Sequence, residues 1–173
     1  MDGSAWRSDW SWRPDAPTGL GEADRLILTA TRHWVAALFA PAGSAEAQHH
    51  LQAWQAGFCG ACCCAAGGAW DQVLGRIALG SRKMLDVRCV GAGELSADEH
   101  ILLSCVASWQ QGRPCEPARI LGSWLTTEAV APALHHGMIC AQTLKRAGLT
   151  LYSQPLDRTA WMIPRSESGV TVH

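Results

Sequence analysis

The sequence predicts an all-α protein: a single-domain bundle of five or six helices with irregular N- and C-terminal tails. Three observations predict it. Apolar residues recur at spacings of three and four through the middle of the chain. Helix-starting and helix-stopping residues punctuate those runs. Only two short stretches, 87–93 and 149–152, read as strands. The 173 residues suffice for one domain with a substantial core. No linker divides them, so the expected layout is a Trp-containing tail over 1–20, a helical domain over 21–152 and a tail over 153–173.

Pro14, Pro17 and Thr18-Gly19-Leu20-Gly21 keep the first segment irregular. A first helix is expected from about Glu22 to Phe39, with Leu26, Ala30, His33 or Trp34, and Ala37 or Leu38 on one side. Glu22 and Asp24 suit its positive end, and Pro41 follows its last turn. A second opens at Ser44 or Ala45 and runs through His49, Leu51, Trp54 and Phe58 toward the cysteine cluster until Gly67-Gly68 stops it. A third, from about Ala69 to Leu85, buries Trp70, Val73, Leu74, Ile77 and Met84. Ser96-Ala97-Asp98-Glu99 has the spacing of a capping box, with Ile101, Leu102, Cys105, Val106 and Trp109 as the stripe behind it. Gly112 and Pro114 end that helix. A shorter one follows from about Pro117 to Leu125. The last runs from about Thr127 to Ala147 with Val130, Leu134, Met138, Ala141 and Leu144 inward, Pro132 in its early turns and Gly148 as its stop.

Composition narrows the function classes. Hydrophobic residues make up 48 % and charged residues 17 %, a balance that favours a compact fold with apolar surface to spare for a partner protein. The formal net charge of −1 supplies no long-range attraction for nucleic acid or acidic lipid. No run reaches the roughly 18 apolar residues of a membrane span. The opening Met1-Asp2-Gly3-Ser4-Ala5-Trp6-Arg7 has no apolar core, so a cytoplasmic location with reduced thiols is expected.

Four of the eight cysteines fall in Cys59-Gly60-Ala61-Cys62-Cys63-Cys64. On a continuous helix Cys59, Cys62 and Cys63 lie at roughly 0°, 300° and 40° around the axis, while Cys64 points away. Three thiolates on one face suit a thiophilic ion such as Cu(I). A break at Gly57 or Gly60 would instead turn Cys59-Gly60-Ala61-Cys62 into a loop of the kind found in zinc sites, although no second ligand pair follows. Against both stands plain packing, because free cysteine behaves as a small hydrophobe and small residues let helices approach.

Other motifs carry less. Glu46-Ala47-Gln48-His49 has the spacing of a di-iron half-motif, but it occurs once and reads as a solvated helix face. His136 and Cys140 are one helical turn apart, yet no third group orients them and core packing explains Cys140. Arg76, Arg82, Lys83 and Arg88 form a basic segment of the kind that is usually solvated. Phosphate-loop and nucleophile-elbow motifs are missing. Trp6, Trp10 and Trp12 alternate with charged residues, and exposed tryptophans are favoured as binding anchors. The expectation is therefore a non-catalytic helical interaction or regulatory protein that works without a cofactor through another protein. Its rival is a small cysteine-rich metal-handling protein holding Cu(I) or Zn at Cys59, Cys62 and Cys63.

Overall fold

The computed structural model describes residues 19–152. Trp6, Trp10, Trp12 and the tail expected over 153–173 lie outside the described residues. Within them the protein is all-helical: α1 (Glu22–Phe39), α2 (Ala45–Gly60), α3 (Cys64–Gly80), α4 (Ala97–Gln110), α5 (Cys115–Trp124) and α6 (Thr127–Arg146). The two stretches with strand character, 87–93 and 149–152, are not strands. A lone antiparallel bridge between Ser81 and Leu125 ties the end of α3 to the end of α5.

Local chemistry explains four of the helix boundaries. Glu22 and Asp24 occupy the first turn of α1, where carboxylates meet the positive end of the helix dipole. The Ser44 side chain accepts from the Ala47 N–H and starts α2. The expected capping box starts α4, with Ser96 accepting from the Glu99 N–H and Glu99 accepting from the Ser96 N–H. Lys145 and Arg146 complement the negative end of α6, whose helix runs through Pro132.

The buried faces meet around α4. Every residue from Leu102 to Gln110 is buried, which marks α4 as a central helix covered on all sides. It packs on α6, α5 and α1, while α1 pairs with α2 and α3 lies along α6. The buried face of α6 is mostly a ridge of small side chains, Ala129, Ala133, Gly137, Cys140 and Ala141, with Leu144 buried beside them. That ridge admits large neighbours. A Cβ at Gly137 would clash with the Trp109 ring, so only glycine lets α4 and α6 close this tightly. Met138, expected on this face, is instead 46 % exposed. The small-residue ridge, rather than the largest apolar side chains, sets which side of α6 faces inward.

The stretch 149–151 is held by one side chain. Gln110 donates from Nε2 to the Leu149 carbonyl at 2.8 Å, and its Oε1 accepts from the Leu151 N–H at 2.9 Å. A buried amide thus supplies the partners that a strand would have taken from a neighbour.

Three helix boundaries differ from the sequence reading: the end of α2 and both ends of α3. α2 stops at Gly60, well before Gly67-Gly68, and those glycines lie inside α3. Gly67 is there because a Cβ would meet the Phe58 ring at 2.8 Å, so its role is close packing rather than termination. α3 consequently starts at Cys64 and ends at Gly80, which leaves Met84 outside the helix and 96 % exposed instead of on its apolar side.

Candidate functional site

The α2–α3 corner is a helix stop built without its usual residue. Beyond Gly60 comes Ala61, then Cys62 at φ 54°, which is the one non-glycine residue with positive φ among the described residues. The Cys62 N–H donates to the Cys59 carbonyl at 3.0 Å, and the Cys63 N–H donates to the Phe58 carbonyl at 2.9 Å. These two bonds define a Schellman motif, in which the left-handed position is normally glycine. Phe58 and Cys63, the pair whose apolar contact accompanies such a motif, are both buried. α4 and α6 end in the same way, but with Gly112 and Gly148 at the left-handed position. A cysteine there costs about 1–2 kcal/mol of backbone strain, because its Cβ crowds the following carbonyl.

The corner rearranges the thiols. The shared face expected for Cys59, Cys62 and Cys63 required a continuous helix, and that helix ends at Gly60. Cys59 and Cys62 are exposed, whereas Cys63 is buried. Burial, followed by the charges of Cys64, Cys62 and Cys59, pushes the Cys63 thiol up to about 12. Cys64, expected to point away, instead meets Cys59, and their sulfurs lie 2.6 Å apart. The hydrogen bond to Cys64, then slight desolvation and the neighbouring charge, raise the Cys59 thiol above its ordinary value. Among the described residues no group of three or more His, Cys, Asp or Glu side chains is arranged to hold a metal ion. The corner therefore offers one close pair of exposed thiols, chemically fitted to two-electron thiol chemistry.

Cys140 and Cys105 are structural in their surroundings, whereas Cys89 and Cys115 are exposed. Cys140 is fully buried, and burial drives its thiol far up, out of reach of ionisation near neutral pH. Burial, with Glu116 nearby, likewise pushes Cys105 up to about 12. Glu46 and His49 both lie exposed on α2.

Two polar clusters escaped the sequence reading. His33 of α1 and His50 of α2 place their Nδ1 atoms 3.0 Å apart, and the His49 ring centroid lies 6.5 Å from that of His33. Burial first, then the charges of His50 and His49, lower the His33 pKa below its ordinary 6.5. The second cluster joins α1 to the start of α4. Arg32 donates to both carboxylate oxygens of Glu99, at 2.7 and 3.0 Å, and to the carbonyls of Ala92 and Glu94, each at 2.6 Å. Glu99 also accepts from the Arg88 N–H. Neither cluster has a local sequence signature, because its members lie 17 and 67 residues apart. The basic segment is likewise partly tied internally. Lys83 pairs with Asp98 at 2.6 Å and lies over the Trp124 ring, and Arg88 reaches Asp86 and Glu94.

No helix among the described residues is long and apolar enough to cross a membrane. Comparison of the chain with protein-family models, with curated proteins and with solved structures finds no match.

Proposed function

We propose that the chain is a non-catalytic helical interaction protein that acts through contacts with another protein. The observation that supports this reading is the apolar surface at the ends of two helices. Phe39 closes α1 at 82 % exposure, while Leu79 and Met84 flank the end of α3 at 88 % and 96 %. Single exposed apolar residues are ordinary, but large side chains left almost wholly in water beside a closed core are suited to burial in a complex. The internal chemistry agrees, since the buried ionic groups Arg32 and Glu99 are spent on structure and the buried thiols are held protonated.

The test is chemical cross-linking of the full chain in its native extract, compared with Phe39→Ser and with Leu79→Ser/Met84→Ser. One protein captured in stoichiometric amount by the parent, with capture reduced about 10-fold by a variant that keeps its unfolding midpoint, supports the reading; a 10-fold loss is about 1.4 kcal/mol of contact energy. Equal capture by the parent and both variants sinks it.

A further inference from the structure

We propose that Cys64 and Cys59 form a dithiol that undergoes exchange with low-molecular-weight disulfides of the glutathione class, closing into an intramolecular disulfide across the α2–α3 corner. This inference goes beyond the interaction reading and does not rest on it.

Five observations support it. The two sulfurs are already 2.6 Å apart, so forming a bond of about 2.05 Å needs only a sub-ångström approach. Both residues are exposed, so a small disulfide can reach them. They sit on opposite sides of the corner: Cys64 is the first residue of α3 and Cys59 lies in the last turn of α2, so a bond between them joins two helix ends without crossing the core. The hydrogen bond to Cys64, then desolvation and the Cys64 charge, raise the Cys59 thiol, so Cys59 gives up its proton less readily than an ordinary cysteine. Finally, the left-handed Cys62 is what turns the chain so that residues five apart meet at all.

The order of events follows from the raised Cys59 thiol, which makes Cys59 the resolving partner. Cys64 gives its proton to solvent and its sulfur attacks one sulfur of the small disulfide. The small S–S bond breaks, a mixed disulfide forms on Cys64, and one small thiolate leaves and takes up a proton. Cys59 then loses its proton and attacks the Cys64 sulfur, expelling the second small thiolate, which is protonated in turn. The protein dithiol is oxidised by two electrons, and one small disulfide becomes two small thiols. Cys63, buried and held protonated, takes no part.

The experiment treats the reduced full chain with oxidised glutathione, quenches with an alkylating agent and follows adducts by intact-mass and peptide-mapping spectrometry. The parent should lose two hydrogens, link Cys59 to Cys64 and retain no adduct. Cys59→Ser should retain glutathione on Cys64, the adduct lasting on the order of 100-fold longer than in the parent, because the resolving sulfur is gone. Cys62→Ser should still close the bond. Circular dichroism checks that each variant is folded, and alanine replaces serine at any position where it is not. A lasting adduct on the parent, an internal bond between other cysteines, a bond that survives Cys59→Ser, or thiols that all stay reduced would each overturn the proposal.

Discussion

The Arg32–Glu99 cluster and the Cys59–Cys64 corner are both places where distant or reoriented polar side chains converge, and they are opposites. Arg32 and Glu99 are almost wholly removed from solvent, and each is met by several partners. Cys59 and Cys64 are exposed, meet each other, and hang on a turn strained at Cys62. A buried charge must be satisfied or the fold fails, so burial turns such a group into structure. An exposed pair carries no such obligation and stays available to react. The difference locates stability on the α1–α4 side of the bundle and reactivity at the α2–α3 corner.

The comparison breaks most visibly at its buried end. Glu99→Ala leaves the Arg32 guanidinium buried without its carboxylate and removes the acceptor of the Ser96 and Arg88 N–H groups. We expect a loss of about 3–5 kcal/mol in the free energy of unfolding, measured from denaturant midpoints at constant slope. A loss below about 1 kcal/mol, the scale of a surface pair, would mean that the cluster is not what holds α1 to α4.

The corner is sharpened by exchanging its residue with those of its two counterparts. Cys62→Gly relieves the left-handed strain, less the extra freedom glycine gives the unfolded chain, and should stabilise by about 0.5–1 kcal/mol. Gly112→Ala and Gly148→Ala should change stability in the opposite direction by about 1 kcal/mol. At those two glycines a Cβ would meet nothing within 4 Å, so the effect is that of the backbone alone. Equal signs at all three sites would show that the Cys62 side chain contributes a compensating contact.

The smallest expected effect lies between the two regions, in the His33–His50 contact of α1 and α2. The folded His33 pKa is lowered, so the unfolded chain binds its proton more readily. Stability is therefore fully present above the ordinary value of 6.5 and declines as pH falls through 6.5 toward the lower folded value. Unfolding midpoints measured from neutral to mildly acidic pH should show that decline, and His33→Gln should flatten it. An unchanged slope in the variant would assign the dependence elsewhere.

These contrasts also mark how far the sequence can be read. The start of α4 was legible because both halves of its capping box lie within four residues. The ends of α4 and α6 were legible because Gly112 and Gly148 are the residues that such stops usually use. The end of α2 was not, since a cysteine sits where the signature glycine belongs, and Gly67-Gly68 offered a false stop in which Gly67 serves to admit Phe58. Of the cysteine cluster, its place in the chain could be read but not its pairing. The pairing depends on the turn: a helix carried past Gly60 groups Cys59 with Cys62 and Cys63, whereas the observed corner groups it with Cys64.

By itself the sequence determined the helical class, the spans of α1, α4 and α6 to within a residue or so, and the presence of a thiol-rich segment. Those follow from periodicity and capping, which act over a few neighbouring residues. Only the tertiary structure decided that α4 is central, that α6 turns its small residues inward, that Arg32 meets Glu99 across 67 residues, and which two thiols touch. Each of these is set by how one helix packs or turns against another, and that information is not carried by any single stretch of chain.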